Sequence, residues 1–199
     1  NKVVFMFQEW WGVNDYIKRE AENLQAELGN VDVYAIDLYD GKIAITVPEA
    51  QKLMGEMKDE RSKAIISGAI AYVGKKAKIA SIGWCLGGAW SLQSALLEGK
   101  QAIGCVMYYG MPESDLKILK TLHCDVLGIF ALKDGFITPE IVKTFQSNMK
   151  SLKKNITVYN YDSYHAFANP SKKRHNKEYA ADQHAKALAY LKEKLSLAK

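Results

Sequence analysis

Lys78-Ile79-Ala80-Ser81-Ile82-Gly83-Trp84-Cys85-Leu86-Gly87-Gly88-Ala89-Trp90-Ser91-Leu92-Gln93-Ser94-Ala95-Leu96-Leu97 is the stretch around which the rest of the chain is organised. An apolar run breaks at a turn of small residues and resumes as a longer apolar run, which reads as strand, sharp turn and helix. The turn, Gly83-Trp84-Cys85-Leu86-Gly87-Gly88, has the form of a nucleophile elbow with sulfur in place of a hydroxyl. A residue thrown up from so tight a turn has strained backbone dihedrals, and neighbours without a Cβ let strand and helix approach closely. Unpaired N–H groups at the start of the following helix favour a thiolate and can also hold a developing oxyanion. The competing reading is a buried free cysteine in a turn that only packs a helix on a sheet. An acid and a histidine at the ends of later strands would decide between the two.

Upstream of the elbow, Val3-Val4-Phe5-Met6-Phe7 lacks polar alternation and reads as a strand buried on both faces, ending in Gln8-Glu9-Trp10-Trp11-Gly12. Asn14 can cap a helix carrying Tyr16, Ile17, Ala21, Leu24 and Leu28 at helical spacing, and Gly29 stops it. A second strand over residues 31–36 leads into the loop Asp37-Leu38-Tyr39-Asp40-Gly41-Lys42. Pro48 suits the first turn of a helix running towards Met57, and another helix covers residues 59–73. Downstream, strands are predicted over residues 102–109, 126–131 and 156–161. Helices are predicted near 115–119, from Thr138-Pro139-Glu140 onward, and over 177–197.

Strands alternating with helices imply an α/β fold, a doubly wound, mostly parallel sheet of about six strands with helices on both faces. Its simplest order is 2-1-3-4-5-6, with the switch point between the first and third strands. That order sets Glu9-Trp10-Trp11 beside Cys85 and puts the loops after the fifth and sixth strands on the same rim. The 199 residues, 48% of them hydrophobic, suit one domain, 1–199, with a sizeable core.

The net charge of +5 is spread over helical faces, and the one dense run, Lys172-Lys173-Arg174-His175, reads as a solvated helix start, so nucleic acid is not an expected partner. Cys85, Cys105 and Cys124 are an odd number without metal-ligand spacing, which argues for reduced thiols and against a disulfide scaffold or a zinc site. Cys105 and Cys124 lie in or beside apolar runs and are expected in the core. No apolar run approaches the roughly 20 residues of a membrane span. A cytoplasmic protein is the expectation, with a processed secreted or periplasmic form as the alternative because the chain begins at Asn1.

After the fifth strand comes Lys133-Asp134-Gly135-Phe136, and after the sixth comes Tyr164-His165-Ala166-Phe167. Alone, Asp134 reads as a turn cap and His165 as a loop histidine. At successive strand ends behind a thiol elbow, they read as the acid and the base of a nucleophile. His123, His175 and His184 are expected to be structural or exposed. With these residues the chain resembles the dienelactone hydrolase (carboxymethylenebutenolidase) family of α/β-hydrolases. The matching segments are Gln8 to Asn14, Asp37-Leu38-Tyr39 with Gly41-Lys42, Gly83 to Gly88, Asp134 with Pro139, and His165-Ala166-Phe167.

The resemblance implies Cys85 as nucleophile, His165 as its base and Asp134 as the orienting acid. It also implies the backbone amides of Trp10 and Leu86 as oxyanion donors, and Glu9 as the partner that regulates the resting thiol. It implies hydrolysis of a small ester or lactone through an acyl-enzyme, with no cofactor and no metal. Two departures stand out. The α/β-hydrolase fold has two earlier strands, absent here or upstream of Asn1. Asn169 stands where dienelactone-cleaving enzymes carry an arginine for the substrate carboxylate, and Lys42 is a candidate basic substitute. Trp11, Tyr39, Lys42 and Asn169 are the candidate substrate contacts. The alternatives are a thioesterase or general carboxylesterase with the same triad, or a non-catalytic binding protein on this fold.

Overall fold

A computed structural model describes residues 1–197. Six parallel strands form one sheet in the order β2-β1-β3-β4-β5-β6: β1 Lys2–Phe7, β2 Asp32–Ile36, β3 Lys78–Trp84, β4 Ala102–Tyr108, β5 Val126–Ala131 and β6 Ile156–Tyr161. The helices are α1 Asp15–Leu28, α2 Val47–Glu56, α3 Asp59–Val73, α4 Leu86–Glu98, α5 Leu116–Leu119, α6 Pro139–Ser151 and α7 Lys177–Lys194. The expected sheet order is the observed one.

Successive side chains of β1 point to opposite faces, which is why an unbroken apolar run is stable there. Val4 and Met6 pack with Ile17, Leu24 and Leu28 of α1 and Ala187 and Leu191 of α7. Val3, Phe5 and Phe7 pack with Ile66 of α3 and Trp90 of α4. A third apolar cluster joins Leu92 and Ala95 of α4 to Val142, Phe145 and Met149 of α6. Helices α1 and α7 therefore cover one face, and α3, α4 and α6 the other. Phe7 lies between Ile36 and Gly83, so the ends of β1 and β3 are level and their loops leave the sheet side by side.

Three of the boundaries that differ from the sequence reading do so for a local reason. Val31 is held outside β2 by its N–H bond to the Gly29 carbonyl, 2.8 Å. Strand β4 stops before Tyr109, whose φ of 35° leaves the extended region. Helix α7 ends at Lys194, and Ser196 turns left-handed with φ 51°.

Candidate active site

Cys85 stands between β3 and α4 with φ 57° and ψ −117°, a left-handed conformation that costs a non-glycine residue strain. Its N–H is held by the Tyr108 carbonyl at 2.9 Å, and its own carbonyl accepts from Gly88 at 3.0 Å and Ala89 at 3.3 Å. A Cβ on Gly83 would lie 2.1 Å from the Gly87 carbonyl oxygen, and one on Gly87 would lie 2.3 Å from that of Phe7. These two glycines let the elbow close onto the end of β1 with backbone against backbone.

Asp134 and His165 leave adjacent strands on loops tied together, for Leu132 donates to the Tyr161 carbonyl at 2.8 Å and Lys133 to that of Ser163 at 2.9 Å. Asp134 is buried, and its Oδ1 accepts from the amides of Phe136 at 2.8 Å and Ile137 at 3.0 Å. Its Oδ2 faces His165 Nδ1 at 2.6 Å, and His165 Nε2 faces Cys85 Sγ at 3.1 Å. Cys85, His165 and Asp134 thus form one hydrogen-bonded chain.

Burial opposes charge on Asp134, but the bonds from His165, Ile137 and Phe136 hold its carboxyl below the usual range. Burial likewise opposes an imidazolium, but Asp134 and the neighbouring sulfur push His165 up to about 10. A proton therefore sits readily on this ring, between a carboxylate and the sulfur. Two aromatic rings lie against it, Tyr109 at 5.0 Å and Phe136 at 5.6 Å between centroids.

The amides of Trp10 and Leu86 make no internal hydrogen bond among the described residues. Leu86 opens α4, so its N–H is one of the free donors of a helix start. The Trp10 ring packs edge-on against Trp11 at 5.3 Å.

Glu9 is hydrogen-bonded to Asn169. Its Oε2 accepts from Asn169 Nδ2 at 2.6 Å, while the thiol's hydrogen-bond partner is His165. The cause is the loop after His165, in which Asn169 Oδ1 accepts from the N–H of Ser171 at 2.9 Å and its Oγ at 2.7 Å, so the amide nitrogen is left pointing at Glu9. Burial pushes the Glu9 carboxyl up to about 7, against the opposing effects of Asn169, Lys172 and His165. Asn169 is itself buried and has both ends of its amide hydrogen-bonded.

Lys42 lines a cavity of about 220 Å³ with Tyr39, Asp40 and Arg61, whereas Trp11 and Asn169 line another of about 340 Å³ with Lys172. Lys42 and Asn169 thus each line a different one of these two cavities. The cation beside Trp11 is Lys172, whose Nζ lies 4.1 Å from the ring centroid. Nothing in the composition of the basic run Lys172-Lys173-Arg174-His175 singles out Lys172. Tyr39 is buried, and its hydroxyl has no hydrogen-bond partner among the described residues.

Sequence reasoning also missed Gln8, Tyr109 and Phe136. Gln8 Oε1 accepts from the Leu38 amide at 3.1 Å and so fastens the loop after β2 to the end of β1. Tyr109 follows β4 on the rim that the strand order defines, and Phe136 stands two residues from Asp134; both positions were visible signals. Cys105 and Cys124 are buried free thiols, and burial pushes Cys105 up to about 12. His184 pairs with Glu27 at 2.9 Å on the surface, and His175 faces the Phe167 carbonyl at 3.2 Å. Among the described residues no group of three or more histidine, cysteine or carboxylate side chains is placed to hold a metal, and no helix is long and apolar enough to cross a membrane.

Comparison with known proteins decides the lineage. The sequence profile of the dienelactone hydrolase family matches residues 1–195. The chain belongs to the dienelactone hydrolase family. It is accordingly a hydrolase of ester or lactone bonds, built on the α/β-hydrolase fold. Carboxymethylenebutenolidase of Pseudomonas sp. strain P51 is 27% identical over a 208-residue alignment, covering 96% of this chain and 84% of that one. The protein usf of Aquifex pyrophilus is 26% identical over 177 residues, covering 83% and 76%. Among solved structures, a dienelactone hydrolase-like promiscuous phosphotriesterase from metagenomic libraries superposes with a TM-score of 0.81 at 21% identity, covering 97% of this chain and 86% of that one.

Proposed function

We propose that the chain cleaves small esters or lactones through a covalent acyl-cysteine. Cys85 is the nucleophile, His165 the proton carrier and Asp134 the group that orients and charges the imidazole. The observation that supports this most is the Cys85 Sγ to His165 Nε2 contact of 3.1 Å, continued to Asp134 at 2.6 Å from a strained elbow.

His165 holds the proton drawn from the thiol, as an imidazolium paired with Asp134, while the sulfur attacks the carbonyl carbon. Charge develops on the carbonyl oxygen, where the free amides of Leu86 and Trp10 are suited to receive it. The tetrahedral species collapses with loss of the carbon–oxygen bond, and the electron pair leaves with the alcohol oxygen, which takes the proton from His165 Nε2. A water molecule, deprotonated by the same nitrogen, then attacks the thioester and releases the acid and the thiol. When the substrate is a lactone, the alcohol stays on the acyl chain until that second step. Thioesters fit the same scheme with sulfur as the leaving atom, so the natural leaving group is open to assay.

Turnover of short p-nitrophenyl esters, thioesters and lactones by the wild type and Cys85→Ala tests the reading. Loss of all measurable turnover in a folded Cys85→Ala protein is expected, while Cys105→Ala and Cys124→Ala retain it. Equal turnover in Cys85→Ala and the wild type would refute it.

A further inference from the structure

We infer that Phe136 is a specificity-determining residue that contacts the leaving alcohol of the substrate. The inference rests on the Cys85 and His165 roles proposed above. In that scheme the proton that His165 Nε2 took from the thiol goes to the alcohol oxygen as the carbon–oxygen bond breaks. The leaving group must therefore lie on the His165 side of the carbonyl, within hydrogen-bond reach of Nε2.

Two aromatic rings touch that imidazole, and they differ in what can reach them. Tyr109 is fully buried, so no substrate atom can pack on it. Phe136 meets the imidazole edge-on, with planes at 71°, yet is 73% exposed. It belongs to none of the three apolar clusters that build the core. The backbone that carries it is nonetheless fixed, because its N–H donates to Asp134 Oδ1 at 2.8 Å, in the same turn that anchors the acid. A large apolar ring held on a rigid turn beside the proton donor is a platform for an apolar or aromatic alcohol. The predicted preference is for aryl over methyl esters of a given acid.

Phenyl butyrate and methyl butyrate share an acyl group and differ only in the alcohol. Phe136→Ala is expected to lower kcat/KM for the phenyl ester by roughly tenfold and for the methyl ester by no more than about twofold, the range one apolar contact supplies. Deacylation of the common butyryl-enzyme should be unchanged, because the alcohol has already left. Phe136→Trp should restore the phenyl ester rate. Iodoacetamide alkylation of Cys85 should match the wild type, since the hydrogen bonds joining Cys85, His165 and Asp134 are retained. Equal losses on both esters, or slowed deacylation, would overturn the assignment while leaving the Cys85 chemistry standing. A wild-type enzyme that turns over either ester without a butyryl-Cys85 intermediate would overturn the underlying reading and this one with it.

Discussion

Asp134 and Glu9 are two buried carboxyls a few side chains apart whose surroundings drive them in opposite directions. Asp134 accepts two backbone amides and the His165 ring and stays charged. Asp134→Asn removes the charge that favours an imidazolium, so the His165 value should fall from about 10 towards the ordinary 6.5. Activity should drop by roughly a hundredfold or more without loss of fold. Histidine NMR titration together with kcat/KM against pH checks both halves, and an unmoved His165 would show that Asp134 does not set its charge. Glu9 has one hydrogen bond, to Asn169, and lies near 7 against an ordinary 4.5. Between those values the folded chain keeps a proton that the unfolded chain has released. Stability therefore falls as pH rises from about 4.5 to about 7, with no further loss from this group above that. Glu9→Gln keeps an acceptor for Asn169 and removes the titration, so its Tm should exceed the wild type's at about pH 8 and match it at about pH 4. Thermal melts at the two pH values test this, and an equal shift at both would contradict it.

At the level of the elements, the elbow is set by where side chains are missing. Gly87→Ala places a Cβ 2.3 Å from the Phe7 carbonyl oxygen, backbone that cannot yield, so α4 must back away from β1. The expected cost is about 1–3 kcal/mol or more, with loss of turnover as the Leu86 amide and Cys85 shift. Gly68, inside α3, meets nothing within 4 Å, and Gly68→Ala should stabilise by about 0.5–1 kcal/mol without touching activity. Denaturant titration of the pair separates close approach from helix propensity. The elements themselves were legible because β1 and β3 are apolar on both faces and because Asn14, Thr138 and Gly29 mark helix ends by their chemistry. Boundaries were less so where tertiary contacts decide them, as at Tyr109, whose N–H bonds the Ile129 carbonyl at 2.7 Å while its backbone turns left-handed.

Across the whole molecule, the site is assembled at the carboxyl ends of β1, β3, β5 and β6, and strand order alone was enough to expect Glu9, Cys85, Asp134 and His165 on one rim. Which of them touch was harder to read. Glu9 and Asn169 are 160 residues apart, and their bond depends on how Ser171 turns the Asn169 amide, a side-chain detail that no periodicity encodes. Lys172 was hidden for the same reason, because its place on Trp11 depends on the path of the loop after His165. The proposed chemistry begins at the sulfur at the head of that rim. Its most direct test is rapid-quench intact mass spectrometry during turnover of p-nitrophenyl butyrate, followed by peptide mapping. A transient butyryl adduct is expected on the peptide carrying Cys85, formed and lost at rates that match turnover and absent in Cys85→Ala. Turnover with no adduct on Cys85, or an adduct that persists in Cys85→Ala, would contradict it.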